Sequence, residues 1–215
     1  MRGRAAKVPA GRVAFLRLPY ASGMDELTHL ARTAGRGDTA ALTVLIQRTQ
    51  SEVWRLCAHL VDPAAADDLV QETYLRVIGA LKSFRGDAPV RTWLLTIARR
   101  VCAAEVSARQ RDRQLSAQLE AMPSAGLGQA PEAGSQTTAA LLIAGLEPDR
   151  RAAFVLTQII GCSYAEAATI CDCPVGTIRS RVARAREDLI AMMTEPGELP
   201  ARDGASVPNA SSTRG

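Results

Sequence analysis

The sequence is short of lysine, aromatic residues, histidine and strand-like alternation, and each shortage narrows what the chain can be. Lys7 and Lys82 are the only lysines among 26 basic residues. The positive charge is therefore carried by guanidinium groups, whose planar fork can grip a phosphate or a guanine edge through two hydrogen bonds. Aromatic residues make up 4% of the chain, which leaves the cores to aliphatic side chains and few rings for stacking. His29 and His59 stand alone, with no HxxxH or second CxxC pair, so zinc has no ordinary ligand framework and no metal site is expected. Cys57, Cys102, Cys162, Cys171 and Cys173 are odd in number and lie in or beside apolar helical patterns rather than at disulfide spacing, which favours a reducing cytoplasm. A metal or redox role for Cys171 and Cys173, with Cys162 nearby, stays open.

Other absences exclude whole classes. No run of about eighteen apolar residues exists, so membrane insertion is not expected. Val13 to Leu16 follows basic residues as in a signal peptide, but Arg17 and Pro19 interrupt it too early. Residues 1–23 read as a disordered extension, with Met24 a candidate natural start. No nucleophile triad, carboxylate cluster at metal spacing or phosphate-cradling glycine loop is present, so the chain is not expected to be an enzyme and needs no cofactor.

What is there is helix. From Met24 no Val/Ile/Thr-rich run alternates between turns, and the fold class is all-α. A first helix at about 24–34 stops at Gly35-Arg36-Gly37. Asp38 caps a second carrying Leu42, Leu45, Ile46, Val53, Leu56, Cys57 and Leu60 at three-and-four spacing. Asp62-Pro63 pairs an N-cap acid with a first-turn proline and opens a third helix, with Leu69, Val70, Thr73, Val77 and Ile78 turned inward. A fourth runs from Val90 to Arg113, apolar through Trp93, Leu94 and Ile97 and basic further on. Trp93 is read as core rather than as a base-stacking ring. These four helices form a domain over 24–113. Gln, Ala, Ser, Gly and Pro then dominate a flexible linker at 114–136, a second helical domain occupies 137–193, and 194–215 read as a disordered tail.

The formal charge is +4 and the pI about 9.0, a modest excess, so clustering has to identify any polyanion partner. Residues 163–190 supply it. Ser163 and Glu166 form a capping box, Ala167 and Ala168 allow a close helix crossing, and Asp172 suits a left-handed turn before Pro174 opens a last helix. On that helix Ile178, Val182, Ala185 and Leu189 share one face. Thr177, Arg179, Ser180, Arg181, Arg184 and Arg186 project from the other or along its edges, the pattern of a helix-turn-helix recognition helix. Arg179 or Arg181 suits guanine edges; Thr177, Ser180, Arg184 and Arg186 suit phosphates. A second basic stripe, Arg91, Arg99, Arg100, Arg109, Arg111 and Arg113 against only Glu105 and Asp112, follows the fourth helix and could track a DNA backbone. On the third helix Asp68, Gln71, Glu72 and Leu75 recur at three-or-four spacing beside Asp67, a patch suited to a protein partner.

Three segments, DDLVQETYLRVIGAL, RTWLLTIARR and CPVGTIRSRVARARE, occur in an order that resembles bacterial RNA polymerase sigma factors of the extracytoplasmic-function class. The resemblance covers about 24–193. It implies a subunit that binds core RNA polymerase through Asp67, Asp68, Gln71, Glu72 and Leu75, against the clamp helices of the largest polymerase subunit. It further implies that the first domain reads the minus-ten element of promoter DNA and the second the minus-thirty-five element. The loop Ser83–Pro89, with Phe84 and Arg85, resembles the segment that encloses a flipped base, and the linker resembles one that threads the polymerase channel. Arg100 stands where the family usually has Asn and Ala104 where it usually has Asp, departures that bear on the minus-ten contacts. An anti-sigma factor is a partner the resemblance makes plausible. The competing reading is a free-standing helix-turn-helix repressor or activator.

Overall fold

The computed structural model describes residues 21–120 and 137–194. The expectations placed on residues 1–20, 121–136 and 195–215 lie outside the described residues. Eight α-helices and one π-helical turn account for the fold, with no strand among the described residues: α1 Ala21–Gly35, α2 Thr39–Leu60, α3 Ala66–Leu81, α4 Val90–Glu120, α5 Thr138–Ala144, α6 Pro148–Phe154, the π turn Val155–Ile159, α7 Tyr164–Cys171 and α8 Val175–Thr194.

Local chemistry explains most boundaries. Asp38 Oδ1 accepts from the Ala41 amide at 2.9 Å and starts α2. Glu147 accepts from the Asp149 and Arg150 amides, and Pro148 occupies the first turn of α6. Three boundaries depart from expectation. The acid at Asp62 does accept from the Ala65 amide, at 2.8 Å, but the Ala66 amide then bonds back to the Pro63 carbonyl. That tight first turn delays α3 until Ala66. Helix α1 begins three residues before Met24. Helix α4 passes Arg113 by seven residues, into the segment read as linker, because Gln114 to Glu120 are mostly strong helix formers without Gly or Pro. The π turn has no sequence signal: the Ile160 amide reaches back five residues to the Val155 carbonyl, and Gly161 then ends the segment at φ +78°.

Helices α1 to α4 pack mutually, with Leu45, Val53, Leu56, Val77 and Leu95 essentially sealed from solvent. Within this core the Thr49 and Tyr74 hydroxyls bond at 2.7 Å, and burial pushes the Tyr74 phenol up to about 12. In the second domain Leu156, Ile170, Ile178 and Val182 fill the space between α6, α7 and α8. The two cores touch: α7 packs on α4, and the apolar cluster runs through both domains without a break. Polar ties cross the same boundary. The Arg151 guanidinium donates to the Leu60 carbonyl at the end of α2, at 3.1 Å, and to the Leu146 and Ala144 carbonyls. No helix among the described residues is long and apolar enough to cross a membrane.

Candidate DNA and polymerase surfaces

The helix-turn-helix is built as its sequence predicts. Ser163 Oγ accepts from the Glu166 amide at 3.2 Å while Glu166 Oε2 accepts from the Ser163 amide at 2.8 Å, closing both halves of the capping box. Asp172 turns the chain at φ 53°, ψ 50°, a left-handed conformation that Asp tolerates better than a branched residue. Ala167 is fully buried at the crossing of α7 and α8, and Ile178, Val182 and Ala185 anchor α8 to the core.

This anchoring turns Arg179, Ser180 and Arg184 to solvent. Neither Arg179 nor Arg184 makes an ion pair with any described residue. Ser180 donates to the Thr177 carbonyl at 2.9 Å, and Thr177 itself is half-buried. Arg186 is exposed but donates to Gln158 Oε1 at 2.8 Å. Arg181 is placed differently from Arg179. Its guanidinium pairs with Asp149 and donates to Cys173 Sγ at 3.7 Å, and the other oxygen of Asp149 lies 3.8 Å from Arg99 on α4. One carboxylate thus sits between a recognition-helix arginine and an arginine of the first domain.

The basic stripe on α4 is less available than its sequence implies. Arg91 donates through Nε to both oxygens of Glu52, at 2.9 and 3.1 Å, and through Nη2 to the Ile160 carbonyl at 3.0 Å, with Glu166 at 3.6 Å. Burial works against its charge, but the Glu52 hydrogen bonds and the neighbouring anions outweigh it and hold the pKa above the ordinary arginine value. Arg109 pairs with Glu105 on its own helix and with Asp62. Of these arginines, Arg100, Arg111 and Arg113 are exposed and free of any carboxylate among the described residues. On the preceding loop Arg85 is exposed, and the Phe84 ring packs on Trp93 with centroids 4.8 Å apart. Trp93 is half-buried in this pair and at the margin of the core.

On α3 Asp67, Asp68, Gln71 and Leu75 are exposed and Glu72 is half-buried, paired at 2.7 Å with Arg76. Leu75 is 66% exposed, and Ile78 three residues on and Trp54 beside Asp67 are further exposed apolar residues. Ile78, expected to face inward, is 44% exposed, because Tyr74, Val77 and Leu81 already occupy the buried stripe of α3 and Ile78 falls outside it. Trp54 on α2 is 39% exposed, and its indole N–H donates to Asp67 Oδ1 at 2.9 Å. It lies outside the apolar spacing of α2, and no signal in the sequence ties it to Asp67, thirteen residues away. All five cysteines are free; Cys57 and Cys102 are buried with their sulfurs 3.6 Å apart. Among the described residues no three metal-capable side chains converge.

Comparison with known proteins fits this geometry. Residues 45–112 match Sigma-70 region 2 and residues 139–189 match Sigma-70 region 4. The ECF RNA polymerase sigma factor SigC of Mycobacterium tuberculosis is 45% identical over 180 residues, spanning 83% of this chain and 97% of the relative. The chain belongs to the extracytoplasmic-function sigma factors. Among solved structures, CnrH in complex with the cytosolic domain of CnrY superposes with a TM-score of 0.61 at 26% identity, over 79% of this chain and 97% of that one. The sigma factor RpoE from Bartonella quintana, in complex with the anti-sigma factor NepR, gives 0.53 at 28% identity, over 70% and 96%. This sigma factor is accordingly a non-enzymatic subunit that binds core RNA polymerase and directs it to promoter DNA. The reading as a free-standing repressor is not favoured.

Proposed function

We propose a division of labour within this sigma factor. The first domain docks on core polymerase through the exposed face of α3, with Asp67, Asp68, Gln71, Glu72 and Leu75 joined by Trp54 and Ile78. Carboxylates around an apolar centre suit a partner that is basic at its rim and apolar within. Phe84 and Arg85 engage the minus-ten strand, and Arg100 contacts its backbone. Arg91 and Arg109 serve chiefly as internal struts, since both already hold carboxylates.

The second domain lays α8 into the major groove of the minus-thirty-five duplex. Arg179 is suited to a guanine edge; Ser180, Arg184 and Arg186 are suited to phosphates. Arg181 joins them once it leaves Asp149, as Arg99 joins the minus-ten contacts. The observation that carries the assignment is that Arg179 and Arg184 project, unpaired, from a helix whose opposite face is fully buried. Working with the polymerase places the chain in the cytoplasm. By likeness to the RpoE complex, an anti-sigma protein is a further partner.

The test is promoter-directed transcription with purified core polymerase and the Arg179→Ala, Arg184→Ala double variant. Initiation should fall by more than tenfold while binding to core polymerase is unchanged. Undiminished initiation would sink the assignment.

A further inference from the structure

We propose that the cleft between the C-terminal ends of α1 and α3 binds the sugar-phosphate backbone of single-stranded promoter DNA, anchoring the strand beside the loop 82–89. The cleft has a volume of about 260 Å³ and is lined by Arg32, Gly35, Arg36, Leu81, Lys82 and Phe84. Three cations, a glycine and two apolar side chains make its wall; no carboxylate does.

Helix electrostatics accounts for part of this. Each of α1 and α3 ends here, and a cation near a helix C-terminus is favourable. That explains one positive residue per helix end. It does not explain three cations converging on one concavity, where like charges repel one another. Nor does it explain their lack of partners. Arg48, Arg76, Arg91, Arg109, Arg150 and Arg181 each hold a carboxylate. The Arg36 and Lys82 side chains make no hydrogen bond or ion pair among the described residues, and the Arg32 side chain has only a 3.4 Å bond to the Arg85 carbonyl. Unneutralised cations gathered in a cleft focus a positive field and draw an anion into it.

The neighbours indicate which anion. Gly86, at φ +77°, lies so close to Arg32 that a Cβ there would stand 2.4 Å from the guanidinium, so the loop and the cleft form one unit. The Phe84 ring on the cleft wall offers an apolar face to a sugar or base, and exposed Arg85 continues the positive track outward. The volume lies just below the ~300–1,000 Å³ of ordinary ligand pockets, room for one nucleotide of a strand and not for a duplex. A groove of cations with a ring beside it is the chemistry of single-strand binding.

This rests on the minus-ten reading of the first domain and adds Arg32, Arg36 and Lys82 to it. The test uses holoenzyme assembled from the full chain and core polymerase, with two DNA probes. One is a fork junction with a duplex minus-thirty-five element and a single-stranded minus-ten non-template strand; the other is the same duplex ending upstream of the minus-ten element. Arg36 and Lys82 are exposed, so the Arg36→Ala, Lys82→Ala variant leaves packing intact. It should bind the fork junction about tenfold more weakly, with the log–log salt slope reduced by about 1.4, from two lost phosphate contacts at ~0.7 each on a single strand. Affinity for the truncated duplex should not change, and the Arg36→Lys, Lys82→Arg variant should restore fork binding. Wild-type affinity and slope in the alanine variant would overturn the proposal while leaving the minus-ten reading in place. If wild-type holoenzyme itself fails to prefer the fork junction, the minus-ten reading falls and this inference with it.

Discussion

Asp149 is where the two domains share one charge, and replacing it with asparagine tests whether that contact holds the recognition helix back. The carboxylate pairs with Arg181 on α8 and lies 3.8 Å from Arg99 on α4, and its side chain is 45% exposed. Exposed ion pairs contribute about 0.2–1 kcal/mol each, so the two together hold the closed arrangement by about 1 kcal/mol. The Asp149→Asn amide would keep the shape and remove the charge, leaving two guanidiniums facing each other. About 1 kcal/mol is roughly a fivefold change in an equilibrium. The closed chain would still be held by Arg91 on Glu166 and the Ile160 carbonyl, by Arg151 on the Leu60 carbonyl, and by the shared apolar core.

The assay is titration of the free sigma factor, without polymerase, against minus-thirty-five duplex at low salt. Asp149→Asn should bind about fivefold more tightly, because affinity scales with the fraction of chain whose site is available. The gain should fade as salt screens the ion pairs of the wild type. Removing any acid from a DNA-binding domain raises its affinity somewhat, so Asp188→Asn is the control. Asp188 pairs with Arg150 inside the second domain, at 2.7 Å, and makes no ion pair across the boundary among the described residues. An equal gain from Asp188→Asn, or none from Asp149→Asn, would refute the reasoning.

Other consequences follow from the same geometry. Arg91→Ala should cost about 2–4 kcal/mol in urea unfolding, since it strands Glu52 and Glu166 in a half-buried site, whereas exposed Arg184→Ala should change stability by less than about 0.5 kcal/mol. Leu75→Ala should weaken binding to core polymerase by about tenfold with no loss of folding stability, as read by surface binding and thermal melting, because its side chain projects into solvent. Burial, aided by Arg55, holds the His59 pKa below its ordinary value. The unfolded chain therefore binds the proton more readily, and stability should decline as pH falls below about 6.5; His59→Gln should flatten that limb of the pH–stability curve measured in urea.

Sequence patterning made the helices, the capping box and the left-handed turn legible, because each depends on residues within a few positions of one another. Ser163 finds Glu166 three residues on, and Asp172 needs no distant partner. What escaped depends on contacts far apart in the chain. Arg91 looks like a DNA-tracking residue until Glu52, 39 positions earlier, is seen to hold it. Arg181 and Arg179 are indistinguishable in sequence, two residues apart on one helix, and Asp149, 32 positions from Arg181, makes their surroundings different. The extension of α4 was missed for a different reason. Ala and Gln are common in linkers but also favour helix, and with no Gly or Pro before Pro123 nothing stops the helix at Arg113.

The arginines therefore divide by their surroundings and not by their spacing. Where a guanidinium is half-buried, as with Arg91 and Arg181, the cost of removing it from water is offset only by a carboxylate or carbonyl fixed against it. Such a group can leave for a phosphate only if the whole contact opens. Where it is exposed and unpaired, as with Arg36, Arg85, Arg100, Arg179 and Arg184, a phosphate displaces only water and counterions. A chain whose net charge is only +4 can in this way still present unneutralised cations, because several of its acids, Glu52, Asp62, Glu105 and Asp149 among them, are held by partly buried arginines while Arg36, Arg85, Arg100, Arg179 and Arg184 stay unpaired among the described residues.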